Sequence, residues 1–307
     1  MSSDQNNEAL ERLQKYRDYE STMIFESHRL DGITPLSMEV VRKPLIEPGK
    51  KLTQQKIEEA INGDDTKKSS LIYDERFHPT PAQSNEFLNS GSRVLALALA
   101  RKQGIELTSE NVDRLLSNFG EFVKYTTIGN MSIKLNSEQA ERCLNDDNPH
   151  VTIALAARGD IDFTSKQKDR LLSDPLYLVR RAAAEHIKDF TPAQLDTIVN
   201  DADALVRKSS LRFIEDLKPE QIHKLVNDPE SEVRKSLALS IKNPSPEILD
   251  KLINDPSPEV RLAAVSLVKN PTPEQMEKGV YDSNIEVAKA WASLPYTPPT
   301  SQLDRWM

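Results

Sequence analysis

A seven-residue string that recurs at a fixed interval constrains the fold of this chain more than any other feature. It reads DPSPEVR from Asp255, DPESEVR from Asp228 and DPLYLVR from Asp174, with DADALVR from Asp201 between them. A second pattern, a helix start of Ser/Thr type, recurs alongside it at intervals of 27 or 28 residues. A fixed period of this length indicates stacked structural repeats, in which each repeat contacts only its neighbours.

The second pattern has the chemistry of a helix N-terminus. In TPAQ at Thr191 and TPEQ at Thr272, a capping hydroxyl precedes proline and a glutamine stands three residues on, as in a capping box. Apolar residues follow at the fourth, seventh and eighth positions, which predicts one face of a short helix. The nine helix starts predicted in this way are Thr53, Thr80, Thr108, Asn136, Thr164, Thr191, Lys218, Ser245 and Thr272.

An aspartate stands ten residues after most of these starts and predicts a second helix in each repeat. In DPSPEVR, we expect Asp255 to cap this helix and Pro256 to occupy its first turn. From Val260, apolar residues recur at helical spacing: Ala263, Ala264, Leu267 and Val268. Neither short helix can bury its apolar face alone, so successive pairs must stack.

The predicted fold is therefore all-α, a right-handed α-solenoid of about nine two-helix repeats of 27–28 residues with N- and C-terminal caps. Residues 1–50 do not follow the period and are interpreted as a non-repeat helix and cap segment. Residues 51–296 are the repeats, degenerate over 51–173 and regular over 174–282. Residues 297–307 are predicted to form a C-terminal capping helix, because Leu303, Trp306 and Met307 continue the register.

The string DPSPEVRLAAVSLVKNPTPEQMEK resembles the bacterial leucine-rich-repeat variant and the HEAT-like repeats. Both use an Asp-Pro…Val-Arg opening. The first also uses an Asn-Pro…Pro link, as at Asn243–Pro246. The resemblance implies a curved binding scaffold with no common chemistry.

Composition narrows the classes of function. The apolar share of 37% suits an elongated repeat protein better than one large compact core. A net charge of -8 argues against a surface that grips nucleic acid throughout. No apolar run approaches the length of about 18 residues that a membrane span needs, and the N-terminal sequence lacks an apolar signal region. We therefore expect a cytoplasmic protein without a membrane partner.

Four arginines occupy one repeat position, and three further cations stand beside them. The set is Arg180, Arg181, Arg207, Lys208, Arg234, Lys235 and Arg261. One interpretation is a stripe that binds phosphates or an acidic partner. The favoured one is a structural ladder, in which each arginine pairs with the aspartate of its own or the neighbouring repeat. Lys124, Thr152 and Ala288 hold the same position elsewhere, so we expect any basic stripe to lie in the C-terminal half.

No sequence pattern points to catalysis or to a cofactor. Cys143 falls at a core position, and the five histidines lack metal-ligand spacing, so neither a nucleophile nor a metal site is predicted. The leading hypothesis is a non-catalytic scaffold that binds another protein through one face. The alternatives are a nucleic-acid-binding solenoid that uses the basic stripe and, less favoured, an enzyme similar to HEAT-like DNA glycosylases. The oligomeric state stays open, with the capped ends favouring a monomer.

Overall fold

The computed structural model describes residues 51–211 and 218–296, and these residues are entirely helical or irregular. Each repeat contributes two helices, and in the numbering that follows the second helix of each repeat has an even number. The eighteen helices in these ranges are α1 Gln54–Ile61, α2 Asp65–Tyr73, α3 Pro81–Asn89, α4 Arg93–Arg101, α5 Ser109–Ser117, α6 Glu121–Gly129, α7 Ser137–Leu144, α8 Pro149–Ala156, α9 Ser165–Leu172, α10 Tyr177–His186, α11 Pro192–Val199, α12 Ala204–Ser210, α13 Pro219–Val226, α14 Ser231–Ser240, α15 Pro246–Ile253, α16 Pro258–Val265, α17 Pro273–Val280 and α18 Ile285–Ala292. The predicted all-α fold of two-helix repeats is confirmed.

The described residues divide into two compact units, with the boundary between Ile187 and Lys188. Helices α1–α10 belong to the first, called here the N-terminal unit, and α11–α18 belong to the second, the C-terminal unit. Within each unit, the second helix of each repeat contacts the second helix of the following repeat. These contacts run from α2 to α10 and from α12 to α18. The predicted N-terminal segment 1–50 and capping helix 297–307 lie outside the described residues.

The predicted helix starts are confirmed, because all nine residues are N-caps of the odd-numbered helices. At Thr191, the hydroxyl accepts from the Gln194 N–H at 3.2 Å, and the Thr191 N–H donates to Gln194 Oε1 at 3.0 Å. Lys218 keeps half of this box: its N–H donates to Gln221 Oε1 at 2.9 Å. Its ammonium group has no lone pair with which to cap the helix.

The second helices begin two residues later than predicted. Asp255 is not the N-cap of α16: Ser257 holds that position, and Pro258 rather than Pro256 lies in the first turn. Instead, Asp255 Oδ1 accepts from the Ser257 N–H at 2.9 Å, which fixes the turn that leads into the helix. The aspartates at positions 201, 228 and 282 make the same bond two residues on. This turn leaves each carboxylate with capacity for a further partner.

The predicted core positions are buried. The seventh and eighth positions after the first three starts of the C-terminal unit hold buried side chains, namely Ile198, Val199, Leu225, Val226, Leu252 and Ile253. On α16, Val260 and Ala264 are buried, while Ala263 and Leu267 are partly buried against the same core. Each repeat thus supplies a layer of apolar side chains that the next repeat covers.

The last repeat has an unusual pair of core residues. Gly279 stands where the preceding repeats place Ile198, Leu225 and Leu252, and Trp291 stands where the preceding repeat places Ala264. A Cβ added to Gly279 would lie only 2.1 Å from the Trp291 ring, which is itself 2% exposed. The absence of a side chain at Gly279 therefore leaves space for the large ring, and the core layer stays close-packed.

We expect Gly279→Ala to destabilise the protein by about 1–3 kcal/mol, because the new methyl group overlaps the ring of Trp291. Gly279→Leu with Trp291→Ala restores the pairing of Leu252 with Ala264 and should recover most of the loss caused by Gly279→Leu alone. Urea unfolding of the single and double variants measures the coupling. Additive effects would mean that the two residues do not compensate each other.

Candidate interaction surface

The arginines of the C-terminal unit form a ladder that joins each repeat to the next. Arg234 donates from Nε and Nη2 to the Asp255 carboxylate at 2.7 and 2.8 Å. Its Nη1 donates to the Asp228 carbonyl at 2.7 Å. The same two-armed contact joins Arg207 to Asp228 and Asp201, and Arg261 to Asp282 and Asp255. Each guanidinium thus connects the turn of its own repeat to the turn of the following repeat.

These pairs are enclosed and tightly bonded. The side chains of Arg207 and Asp228 are 10% and 5% exposed, and those of Arg234 and Asp255 are 13% and 5% exposed. Hydrogen bonds to the aspartates raise the pKa of Arg207, Arg234 and Arg261. The Arg261 guanidinium in turn lowers the pKa of Asp282. Bidentate pairing of this kind fixes geometry as well as charge.

One contact of the same kind also occurs in the N-terminal unit. In the N-terminal unit, Lys124 occupies the arginine position and its Nζ lies 2.8 Å from Asp146 of the next repeat and 2.6 Å from Glu121. Burial opposes the charged form of Lys124, but these hydrogen bonds outweigh it and raise its pKa. The ammonium group of lysine is a single charged group and lacks the planar guanidinium with which arginine makes a bidentate contact.

The three cations beside the ladder also meet carboxylates. Arg181 Nε donates to Glu185 at 3.0 Å and Lys208 Nζ donates to Glu232 at 2.9 Å. Lys235 lies 3.6 Å from the same Glu232. Arg180 donates to the Asp174 carbonyl at 2.8 Å, as the ladder arginines do to their own turns. The predicted basic stripe is therefore interleaved with acidic groups along its length.

A second polar ladder, absent from the sequence-based prediction, lies at the C-termini of second helices in the N-terminal unit. Lys102 Nζ donates to the Asp74 carbonyl at 2.7 Å, and Asn130 Nδ2 donates to the carbonyls of Ala100 and Lys102. Arg158 is 1% exposed and donates to the Ile128 carbonyl at 2.6 Å. These side chains satisfy carbonyls that a helix C-terminus leaves without partners.

The solvent-facing side of the second helices differs between the two units. We take as reference the first residue of the helix that belongs to the buried hydrophobic core, which is Leu95 in α4 and a valine in α6, α8, α10, α12, α14, α16 and α18. The outward positions are the residue before it and those two and six residues after it. In the C-terminal unit, the first two positions are mainly charged, with glutamate before the valine and lysine after it. Their residues on α12, α14, α16 and α18 are Leu205, Lys208, Glu232, Lys235, Glu259, Leu262, Glu286 and Lys289. The third outward position of α14 holds Leu239, which is 67% exposed.

In the N-terminal unit, the first two outward positions of α4, α6, α8 and α10 carry mainly apolar side chains, with His150 and Arg181 as exceptions. Five of them are only partly buried, and we call this set the apolar face: Val94, Phe122, Tyr125, Ile153 and Leu178. They lie on α4, α6, α8 and α10, which are consecutive and in contact. Apolar groups therefore predominate at positions that are mainly charged in the C-terminal unit.

Aromatic contacts order the centre of the apolar face. The rings of Phe122 and Tyr125 meet edge to face, with centroids 5.2 Å apart at 89°. The guanidinium of Arg101 lies 5.5 Å from the Phe122 centroid. Burial raises the pKa of the Tyr125 hydroxyl, and the nearby charge of Arg101 acts in the opposite direction. These contacts give the two rings a defined arrangement.

Sequence reasoning missed the apolar face for an identifiable reason. Phe122 directly precedes Val123, and an aromatic residue next to a core valine is itself expected to belong to the core. The signal becomes visible only when the same outward position is compared across repeats. Phe122 and Leu178 occupy the repeat position that Glu232 and Glu259 occupy in the C-terminal unit.

The groups considered for chemistry have structural surroundings. Cys143 is buried, and burial raises the pKa of its thiol to about 11, so the thiol is a poor nucleophile near neutral pH. Across the described ranges, no group of three or more His, Cys, Asp or Glu side chains is arranged to hold a metal ion. Nor does any described helix combine the length and apolar content that crossing a bilayer requires.

One cleft of the C-terminal unit brings acids and aromatic rings together, which the enzyme alternative requires. It encloses 470 Å³ and is lined by Asp255, Asp282, Tyr281 and Trp291 among others. The two aspartates already accept bidentate bonds from ladder arginines, and the Trp291 ring is buried in the core. The two aspartates and Trp291 therefore serve the stacking of the repeats, whereas Tyr281 is 74% exposed.

The fold is that of a repeat protein of the α-solenoid class. The chain is similar to a solved leucine-rich repeat variant described as having a novel repetitive protein structural motif. The TM-score is 0.52 and the sequence identity 24%, over 69% of this chain and 81% of that chain. The predicted resemblance is thus confirmed for the fold. No family model matches the chain, and no curated protein matches it.

Proposed function

We propose that the protein is a non-catalytic scaffold that binds another protein through the apolar face of its N-terminal unit. The observation that supports this most directly is the difference at the outward positions. They hold mainly Glu and Lys in the C-terminal unit, with Leu205 and Leu262 as exceptions, and Phe122, Tyr125 and Ile153 in the N-terminal unit. A repeat fold presents such rows on a rigid array of helices, which suits recognition of an extended surface.

The energetics favour a partner with apolar groups. Burying the partly exposed rings and aliphatic chains of the apolar face contributes about 25 cal/mol for each Å² removed from water. Aromatic side chains near the centre of such a surface often dominate affinity, and Phe122 and Tyr125 already hold a defined geometry. The ordered face therefore loses little conformational freedom on binding.

Binding of nucleic acid through Arg180, Arg181, Arg207, Lys208, Arg234, Lys235 and Arg261 is the alternative and stays a prediction. The carboxylates that accompany these side chains lower the local positive potential. A protein that binds phosphates must release counterions and loses affinity steeply as salt rises. That salt dependence separates the alternative from the proposal.

The test replaces the apolar face with the residues that the C-terminal unit carries at the same positions. We expect the variant Phe122→Glu, Tyr125→Lys, Ile153→Lys, Leu178→Glu to stay folded and to bind the partner at least about tenfold more weakly. Partners are captured from source-cell lysate with nuclease, at low and high salt, and affinities are then measured with the purified partner. Circular dichroism reports whether the variant keeps its helices.

The matched control neutralises the same rows in the C-terminal unit: Glu232→Gln, Lys235→Gln, Glu259→Gln and Lys289→Gln. This variant should bind as the parent protein does. Equal capture by the folded apolar-face variant and the parent would overturn the proposal. Recovery of nucleic acid alone, lost at high salt, would favour the basic stripe instead.

A further inference from the structure

We infer that the ligand of the apolar face is an extended peptide segment with apolar side chains and a carboxylate at one end, the carboxylate meeting Arg101. This inference rests on the proposed function and specifies the chemistry of the partner. It follows from two features of the surface, the direction in which the apolar side chains are arranged and the charge at its edge.

The apolar side chains run across the helices rather than along one of them. Val94, Phe122, Ile153 and Leu178 come from four successive second helices, α4, α6, α8 and α10. Packed helices lie about 8–10 Å apart, so the face is about 24–30 Å long. A peptide in the polyproline II conformation advances about 3.1 Å per residue and covers this length with about eight to ten residues. Because this conformation has three residues per turn, every third side chain points to the same side and would meet a new helix.

Small residues beside the rings leave room for a peptide backbone. The third outward position holds Gly129 on α6 and Ala157 just after α8, where α4 has Arg101 and α10 has Glu185. A Cβ built on Gly129 would meet no atom within 4 Å, so the space above it is open. A peptide that lies along this row can place its side chains on the aromatic and aliphatic groups next to it.

The charge of Arg101 specifies one end of the peptide. Its guanidinium lies over the Phe122 ring and has no carboxylate partner among the residues that the structure describes. The cation at the opposite end, Arg181, is paired with Glu185 at 3.0 Å. A carboxylate at the α4 end of the peptide would complete the partly buried Arg101 through a charge-assisted hydrogen bond.

The experiment selects peptides from a displayed library of random twelve-residue sequences on the immobilised full-length protein. We expect enrichment of apolar residues three positions apart, with Asp or Glu towards one end. The affinity of the most enriched peptide is measured by fluorescence anisotropy. Arg101→Glu should weaken its binding at least about tenfold and should shift a repeated selection towards Lys or Arg at that end.

Lys235→Glu, a charge reversal on the outward side of the C-terminal unit, is the matched control and should leave the affinity unchanged. Arg101→Gln should have an intermediate effect. An enriched peptide that binds Arg101→Glu as tightly as the parent, or a selection without apolar enrichment, would overturn the inference. If no peptide is enriched while the apolar-face variant still loses its protein partner, this inference is wrong and the proposed function stands. Failure of both experiments would reject both.

Discussion

Replacing Asp255 with Ala should lower the free energy of unfolding by about 3–5 kcal/mol, the largest effect we expect from a single charged residue. The substitution removes both hydrogen bonds from Arg234 and leaves that guanidinium, 13% exposed, without its counter-charge. It also removes the bond from the Ser257 N–H that shapes the turn before α16. Urea unfolding measured in Asp255→Ala and the parent protein gives the difference directly.

Asp255→Asn separates the two roles of this side chain. The amide oxygen can still accept from the Ser257 N–H, but the charge is lost, so we expect a smaller effect than in Asp255→Ala. The exposed pair of Lys289 and Glu286, 3.0 Å apart, is the control, and breaking it should change stability by less than about 1 kcal/mol. Equal effects at the enclosed and exposed pairs would mean that the ladder does not hold the repeats together.

The helix starts and the core layers could be predicted from the sequence because they depend on short-range chemistry. An N-cap such as Thr191 and its partner Gln194 lie within one turn, so the pattern of four residues specifies the bond. Core positions such as Leu225 follow from helical spacing after that start. Because the same pattern recurs in every repeat, an inference made for one repeat applies to the others. All nine predicted starts are therefore correct.

The role of Asp255 could not be predicted in full because its main partner belongs to another repeat. Asp-Pro before a helical pattern is typical of an N-cap, and the local sequence does not distinguish a cap from a turn that ends two residues before the helix. The preference of Arg234 for Asp255 over its own Asp228 depends on how adjacent repeats stack. That stacking follows from packing of the core, which motif spacing does not report.

The apolar face lay beyond sequence reasoning for a related reason. The degenerate repeats of the N-terminal unit carry Lys124 and Thr152 in place of the ladder arginine, so the pattern that identifies outward positions is weakest there. Tyr125 and Ile153 then read as ordinary members of an apolar helix. Only the register taken from buried residues such as Val123 and Val151 shows that they point away from the core.

Replacing Leu252 with Ala tests the register of the core itself. Leu252 is fully buried at the seventh position after its helix start, within the core of the C-terminal unit. Truncation removes apolar contacts and leaves a cavity, so we expect a loss of about 2–5 kcal/mol in the free energy of unfolding. Urea unfolding of the variant and the parent measures this loss.

The neighbouring residue on the same helix provides the matched control. Lys251 points outward, its side chain is 36% exposed, and its Nζ lies 3.9 Å from Glu247. Lys251→Ala should change stability by no more than about 0.5 kcal/mol, because an exposed pair of this kind contributes little. A larger loss at Lys251 than at Leu252 would place the wrong face of α15 in the core. Such a reversal would also invalidate the outward positions from which the apolar face was recognised, because both assignments use the same repeat register.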